Sequence, residues 1–192
     1  LNVPYGFSSR YSKAIFRGST TGAPELWANN IEKTRYQLVK ISNNKSCKGL
    51  LDAGFTNIVQ YAKENKNIRD TIILNNEMSI FEQSRYKYIV VADGNVSTYG
   101  YFWVLASGSI PIKQESEHIQ FFEEEFSEKI KENIHYIQVK DDFSDLCEKI
   151  EYLKKNENKV RQIAKNARNY AIENFTLENL KRKFLKDAEI II

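Results

Sequence analysis

Apolar residues in this chain gather in short runs separated by longer polar stretches, and the runs carry two different periods. The clearest is Tyr86-Lys87-Tyr88-Ile89-Val90-Val91-Ala92-Asp93. Its continuous, β-branched end is the pattern of a central parallel strand covered on both faces. Shorter runs at 13–16, 50–55, 109–114 and 135–140 predict further strands. Between them the spacing turns helical. Tyr36, Leu38, Val39 and Ile41 predict an amphipathic helix over 34–42, and further helices are expected at 79–85, 99–106 and 121–133. Residues 60–70, rich in Lys and Asn, read as helix or surface loop. From Asp142 onward the chain reads as helical. Asp142 or Ser144 caps a helix carrying Phe143, Leu146, Ile150 and Leu153; Val160, Ile163, Ala164, Ala167 and Ala171 mark a second; Thr176 with Glu178 opens a third. Strands alternating with helices predict an α/β fold: a Rossmann-like parallel sheet flanked by helices, with a helical C-terminal extension over 142–192. Residues 1–12, with Pro4, Gly6 and a Ser8-Ser9 pair, read as an incoming linker to a single domain.

Composition narrows this picture. The 192 residues fit one domain, and 42% hydrophobic content supplies a core. Against 25 acidic side chains stand 28 basic ones, a net charge of +3, with no Lys/Arg block, so nothing argues for a nucleic-acid partner. No apolar stretch is long enough to span a membrane. Cys47 and Cys147 form neither a zinc spacing nor a CxxC pair. Free thiols in a reducing compartment are the expectation, with one bridge as the alternative. The chain starts at Leu1 and ends on Ile190, Ile191 and Ile192, which reads as a piece of a longer protein.

In such sheets ligands bind beyond the carboxyl ends of the strands, and two segments fit that place. The first, Arg17-Gly18-Ser19-Thr20-Thr21-Gly22, sets a guanidinium, hydroxyls and two glycines after a strand. Its backbone N–H groups and the Ser19 hydroxyl suit a phosphate, although Gly/Ser/Thr loops after strands are commonly plain turns. The second runs from Asp93 and Gly94 through Asn95, Val96, Ser97, Thr98 and Tyr99 to Gly100. The start of a helix there would offer unpaired N–H groups to a diphosphate, or Asn95, Ser97 and Thr98 would simply cap it. This is not the GxGxxG fingerprint of a nicotinamide or flavin dinucleotide site.

These segments carry a resemblance. Phe16-Arg17-Gly18-Ser19 is similar to the FRGS loop of the Rumi-like protein O-glucosyltransferases, glycosyltransferase family 90, which also holds fungal capsule xylosyltransferases and bacterial lipopolysaccharide-modifying enzymes. Arg35 resembles the arginine that follows that loop and opens a helix. Residues 87–95 resemble the family's "KY…dG" strand and turn. Ser107-Gly108-Ser109, Phe121-Phe122, 135–139, 142–146 and the helix bearing Ile163-Ala164 recur in the family's order. The resemblance covers residues 13–175. It implies the C-terminal, donor-binding half of a GT-B glycosyltransferase that is metal-independent, needs no cofactor and takes a UDP-sugar. It also implies an N-terminal domain, a glycan, lipid-linked saccharide or protein hydroxyl as acceptor, and inversion at the anomeric carbon. Ser19 and Arg35 match positions that contact the UDP part, and residues 95–99 match the segment that wraps diphosphate and sugar. The expected location is cytoplasmic, although eukaryotic relatives act in the secretory pathway.

The departures are as informative. The family's diphosphate turn ends in an arginine, and Gly100 stands there; a glycine inside a helix costs about 1 kcal/mol against alanine. Lys113 or Arg17 is expected to take over the charge, or the donor pose differs, or the domain is a degenerate, non-catalytic binding module. The resemblance implies that the general base lies in the other domain, upstream of the FRGS loop, so no catalytic residue is assigned here. Lys113, Glu115 and Glu117, after a strand end, are candidates to read sugar hydroxyls. His135 reads as a core or edge histidine and His118 as exposed. Asp141-Asp142 reads as a helix cap rather than half of a metal-binding DxD, Glu123-Glu124-Glu125 as a solvated face, and Trp27 and Trp103 as packing residues.

Overall fold

The computed structural model describes residues 4–124 and 129–189. In chain order the elements are β1 (Tyr11–Ser19), α1 (Pro24–Asn29), α2 (Arg35–Ser42), β2 (Leu51–Asn57), α3 (Gln60–Glu64), α4 (Lys66–Arg69), α5 (Ile80–Gln83), β3 (Tyr86–Val91), α6 (Tyr101–Ala106), β4 (Ile110–Gln114), α7 (Phe121–Glu124), β5 (Ile137–Val139), α8 (Leu146–Lys155), α9 (Glu157–Phe175) and α10 (Leu177–Glu189). The strands form one parallel sheet in the order β2-β1-β3-β4-β5. The α/β, Rossmann-like expectation holds, with helices on both faces and a helical C-terminal extension.

Strand alternation divides the core into two layers. Ala14, Phe16, Tyr88, Val90, Ile110 and Ile112 face α2, α8 and the first half of α9, where Leu38, Ile41, Leu146, Ile150 and Val160 meet them. Ile15, Ile89 and Val91 face the opposite layer of Tyr101, Val104, Leu105, Phe122 and Tyr170. The long helix α9 serves both layers, Ile163 and Ala164 in one and Ala167 and Ala171 in the other. Each fully buried aliphatic or aromatic side chain contributes roughly 1.5–3 kcal/mol.

Several local expectations are corrected. Arg17, Gly18 and Ser19 are not a loop but the end of β1, paired with β2 from Ala14 to Ser19. Helix α6 starts at Tyr101 with Gly100 as its N-cap and no side-chain cap, so Asn95, Ser97 and Thr98 do not cap it and the interior-glycine cost does not arise. The helix expected over 121–133 is α7, which begins at Phe121; residues 125–128 of that expectation lie outside the described residues, and 129–130 are not helical. Helix α8 starts after Asp145; Asp142 instead accepts the Ser144 N–H in the preceding turn at 2.9 Å. Phe7, in the stretch read as linker, packs against the first core layer. The cysteines, expected to be free thiols, are paired. Cys47, in the 3-10 turn before β2, bonds to Cys147 in the first turn of α8, with Cα atoms 5.5 Å apart, closing a loop of 100 residues.

Candidate functional site

At the carboxyl edge of the sheet β1 and β3 part company. Their ladder ends at Ile15↔Ile89, and β1 continues paired only with β2. This is the point where the strand order turns, β2 lying on one side of β1 and β3 to β5 on the other, and such switch points are where open α/β sheets bind ligands. A cleft of about 300 Å³ lies there. Thr21 and Gly22 wall it after β1, Lys33 and Thr34 at the entry to α2, Asp93 and Gly94 after β3, Glu115, Ser116, Glu117 and His118 after β4, and Asp141 after β5. A larger hollow of about 450 Å³ runs beside the edge strand β2, between α2 and residues 71–75. It lies away from the strand ends, so the position in the fold favours the smaller cleft.

Two side chains lace the cleft together from below. Thr34 caps α2 through its hydroxyl, which accepts from Tyr36 N–H at 3.2 Å, and this places Arg35 at the first helical position. Arg35 Nε donates to the Asp93 carbonyl at 2.9 Å. Its Nη1 donates to the Ser19 carbonyl at 3.2 Å and to Thr21 Oγ1 at 2.6 Å, and its Nη2 to the Ala92 carbonyl at 3.0 Å and, more weakly, to Thr98 Oγ1 at 3.5 Å. Gln114, the buried last residue of β4, is the second. Its Oε1 accepts the Asp93 N–H at 3.0 Å, and its Nε2 donates to the carbonyls of Lys33 at 2.8 Å and Asp141 at 2.7 Å. An ion pair between Lys33 and Asp141 at 2.7 Å closes the same side, although both partners are about two-fifths exposed and the pair adds little stability.

Of the residues singled out from the sequence, Asp93 and Gly94 line the cleft directly. Arg35, Gly18 and Ser19 sit beneath it. Asn95 joins its two loops, its Oδ1 accepting from Gly22 N–H at 3.1 Å. The Ser97 hydroxyl donates to the Ile119 carbonyl and that of Thr98 to the Ala92 carbonyl. Val96 and Tyr99 are exposed, at 63% and 89%. The two substitutes for the missing arginine point elsewhere. Arg17 is paired with Asp52 at 2.8 Å, and Lys113 with Glu123 at 3.0 Å, both members of the second pair being nine-tenths buried. Glu123 is therefore not part of a solvated helix face. Gln114 was missed, and its signal was a polar residue ending a buried apolar strand. His118 is exposed as expected, and it lines the cleft. Trp27 is buried at 2%.

The electrostatics follow from this lacing. The lining carries the carboxylates of Asp93, Glu115, Glu117 and Asp141 against the Lys33 ammonium alone. Burial pulls the Arg35 guanidinium down to about 10, so it stays charged at neutral pH. Burial also holds the Asp93 carboxyl above its ordinary value, opposed by a hydrogen bond from Ser116 and by the charges of Lys113, His118 and Arg35. The cleft thus offers hydroxyls, amides and carboxylates, groups that accept from and donate to a polyhydroxylated ligand. Among the described residues no three His, Cys, Asp or Glu side chains gather to hold a metal ion, and no helix is long and apolar enough to cross a membrane.

Comparison with known proteins places these features. Residues 3–186 match the sequence model of glycosyl transferase family 90. The chain is 31% identical over 164 residues to protein O-glucosyltransferase 3 of Rattus norvegicus, covering 85% of this chain and 28% of the rat protein. It is 33% identical over 184 residues to the uncharacterized protein 179R of Invertebrate iridescent virus 6, covering 87% of this chain and 15% of the viral protein. Among solved structures, TarM superposes with a TM-score of 0.59 at 16% identity, over 97% of this chain and 36% of TarM. Anabaena HepE in complex with UDP gives 0.59 at 9% identity, over 96% of this chain and 50% of HepE. At these identities the structural likeness speaks for the fold, a GT-B-like Rossmann domain. The chain spans well under half the length of these curated relatives.

Proposed function

The chain belongs to glycosyl transferase family 90, and from that premise we propose that it is the donor-binding half of a two-domain GT-B glycosyltransferase. Its cleft takes a nucleotide sugar, a UDP-hexose or UDP-pentose, for transfer to a glycan, a lipid-linked saccharide or a protein hydroxyl. The observation that carries this reading is the cleft's position at the switch point between β1 and β3, with the family's two motifs below and beside it. The UDP bound by Anabaena HepE, a protein of like fold, and the glucosyl transfer named for the rat relative support it.

In the transfer, an acceptor hydroxyl oxygen forms a bond to the anomeric carbon while the bond from that carbon to the diphosphate oxygen breaks. The electron pair leaves with the diphosphate, and the hydroxyl proton passes to a carboxylate supplied by an N-terminal domain. This chain's part is to hold and orient the donor, which lowers the barrier by fixing the reacting geometry. The hydroxyls of Thr21 and Thr34 with the carboxylates of Glu115 and Glu117 are the groups that would meet ribose and sugar hydroxyls. Because Arg35 is engaged below the cleft and Arg17 and Lys113 hold carboxylates elsewhere, the diphosphate charge falls to backbone N–H groups of the turn after Gly94 and to cations of the second domain.

A second reading draws on the same inventory. With Lys33, Arg35, Arg17 and Lys113 all partnered and no side chain at Gly100, the domain would have kept the fold and lost the donor. Calorimetry separates the two. UDP-glucose or UDP-xylose should bind the chain one to one, more tightly than a GDP-sugar. Silence from every nucleotide at millimolar concentration would leave only the non-catalytic module.

A further inference from the structure

A diphosphate brought into this cleft meets an unfavourable charge. The carboxylates of Asp93, Glu115, Glu117 and Asp141 line it, and the single lining ammonium, Lys33, is already paired with Asp141 at 2.7 Å. The diphosphate of a nucleotide sugar is an anion, and like charges at this range repel. Gly100, at the end of the turn after β3, has no side chain to offset them. The space beside it is closed as well, since a Cβ there would stand 3.0 Å from Trp103 Nε1.

His118 is the remaining lining side chain that can take up a positive charge, and among the described residues it stands in no ion pair. It is exposed, yet the segment around it is fixed on both sides. The Ser116 hydroxyl accepts the His118 N–H at 2.9 Å and is hydrogen-bonded to the Asp93 carboxyl. The Ile119 carbonyl accepts from Ser97 Oγ at 3.4 Å, and Gln120 Nε2 donates to the Thr98 carbonyl at 3.1 Å. Hydrogen bonds before and after His118 thus stitch the segment after β4 to the turn after β3, and His118 stands in the cleft wall beside that turn. The charged groups that share its surroundings come from every neighbouring element. Glu115 and Glu117 lie on its own loop, Asp93 after β3 and Asp141 after β5. Lys33 is held by Asp141 and Lys113 by Glu123 of α7, and Arg35 of α2 lies beneath.

We infer that His118 is a proton-dependent donor contact: its imidazolium binds the diphosphate, so the grip on a nucleotide sugar tightens as pH falls through the histidine range. The inference rests on the nucleotide-sugar reading of the cleft, and it adds a cation of this chain to the backbone N–H groups of the turn. An imidazolium donates from both ring nitrogens and offsets one unit of the lining's negative charge. A neutral imidazole donates from one nitrogen and offsets none.

The test is calorimetry on the full chain with UDP-glucose and with uridine, at about pH 5.5 and about pH 8. UDP-glucose is chosen over UDP because both of its phosphates are esterified, so the ligand itself takes up no proton in this window, as a terminal phosphate would. Uridine shares the nucleoside and carries no phosphate. Wild type should bind UDP-glucose about five- to tenfold more tightly at the lower pH, and uridine equally at both. H118Q should bind UDP-glucose at both pH values as weakly as wild type does at the higher one, with uridine affinity unchanged. H118R, charged throughout, should hold UDP-glucose tightly at both. A wild-type UDP-glucose affinity that does not change with pH would overturn the inference, and so would the same pH dependence persisting in H118Q. An equal loss of uridine and UDP-glucose in H118Q would overturn it too, since the residue would then serve the nucleoside or the loop rather than the phosphates. Each of these outcomes leaves the nucleotide reading intact. A wild type that binds neither ligand would sink that reading, and this inference with it.

Discussion

The packed face of the sheet under α2 and α8 and the carboxyl edge above it are held by different forces. The face is apolar, buried and crossed by the Cys47–Cys147 bond. The edge has no ladder between β1 and β3 and is held by hydrogen bonds from two side chains, Arg35 and Gln114, to loop carbonyls. Burial is non-directional and supplies stability. Hydrogen bonds add little net energy but fix geometry, and leave a heavy cost when one partner is lost. The division assigns stability to the face and precision to the edge. Damage to the face should unfold the chain without altering the folded cleft, and damage to the edge should spoil binding at a smaller cost in stability than loss of the face.

The largest effect is expected at the cysteine pair. Opening a 100-residue loop returns chain entropy to the unfolded state and costs about 4.7 kcal/mol of stability, or roughly 10–20 °C in melting temperature for a chain of this size. Urea melts of the oxidised and the reduced chain measure it, and UDP affinity of the folded fraction should stay within twofold. A tenfold loss of affinity on reduction would break the division. Next comes Gly94→Ala. Its methyl group must push aside Thr21 Oγ1 and Arg35 Nη2, an overpacking cost of about 1–3 kcal/mol, and UDP binding should fall more than tenfold. Full binding in this variant would mean that the edge is not built as described.

A smaller, pH-dependent effect belongs to Asp93. Its carboxyl is held above its ordinary value of 3.8, so the folded chain grips this proton more tightly than the unfolded one. Between 3.8 and the raised value folding takes up a proton, and stability from this group declines as pH rises through that window. The stability of wild type relative to Asp93→Asn, from melts at several pH values, should therefore be greatest near pH 4 and decline toward pH 7. A difference that grows with pH contradicts the assignment. The smallest effect is at Tyr99, 89% exposed: Tyr99→Ser should shift stability by less than about 0.5 kcal/mol in the same melts.

How much of this was legible in the sequence depended on whether the cause was local. The buried run at 86–91 and the 3.6 spacing of α2, α8 and α9 are local signals, and the α/β fold followed from them. The site was half legible. Motif position found the two cleft loops and Arg35, but not what Arg35 does, because its acceptors lie as far as 63 residues along the chain. Lys113 and Gln114 mark a second limit. Neighbouring strand residues point to opposite faces, and only the assembled sheet reveals that Gln114 faces Lys33 and Asp141 while Lys113 turns to Glu123. Gly100 looked like an interior flaw because the helix start was placed two residues early; as an N-cap it is harmless. The cysteine pair was illegible because nothing between residues 47 and 147 marks their approach.

The most direct test of the account is a map of amide shifts as the chain is titrated with UDP-glucose. The account predicts changes concentrated at Thr21, Gly22, Thr34, Gly94 and residues 114–118, around the switch point between β1 and β3. Changes centred instead on Tyr36, Asn43 and Asn75, in the larger hollow beside β2, would contradict it.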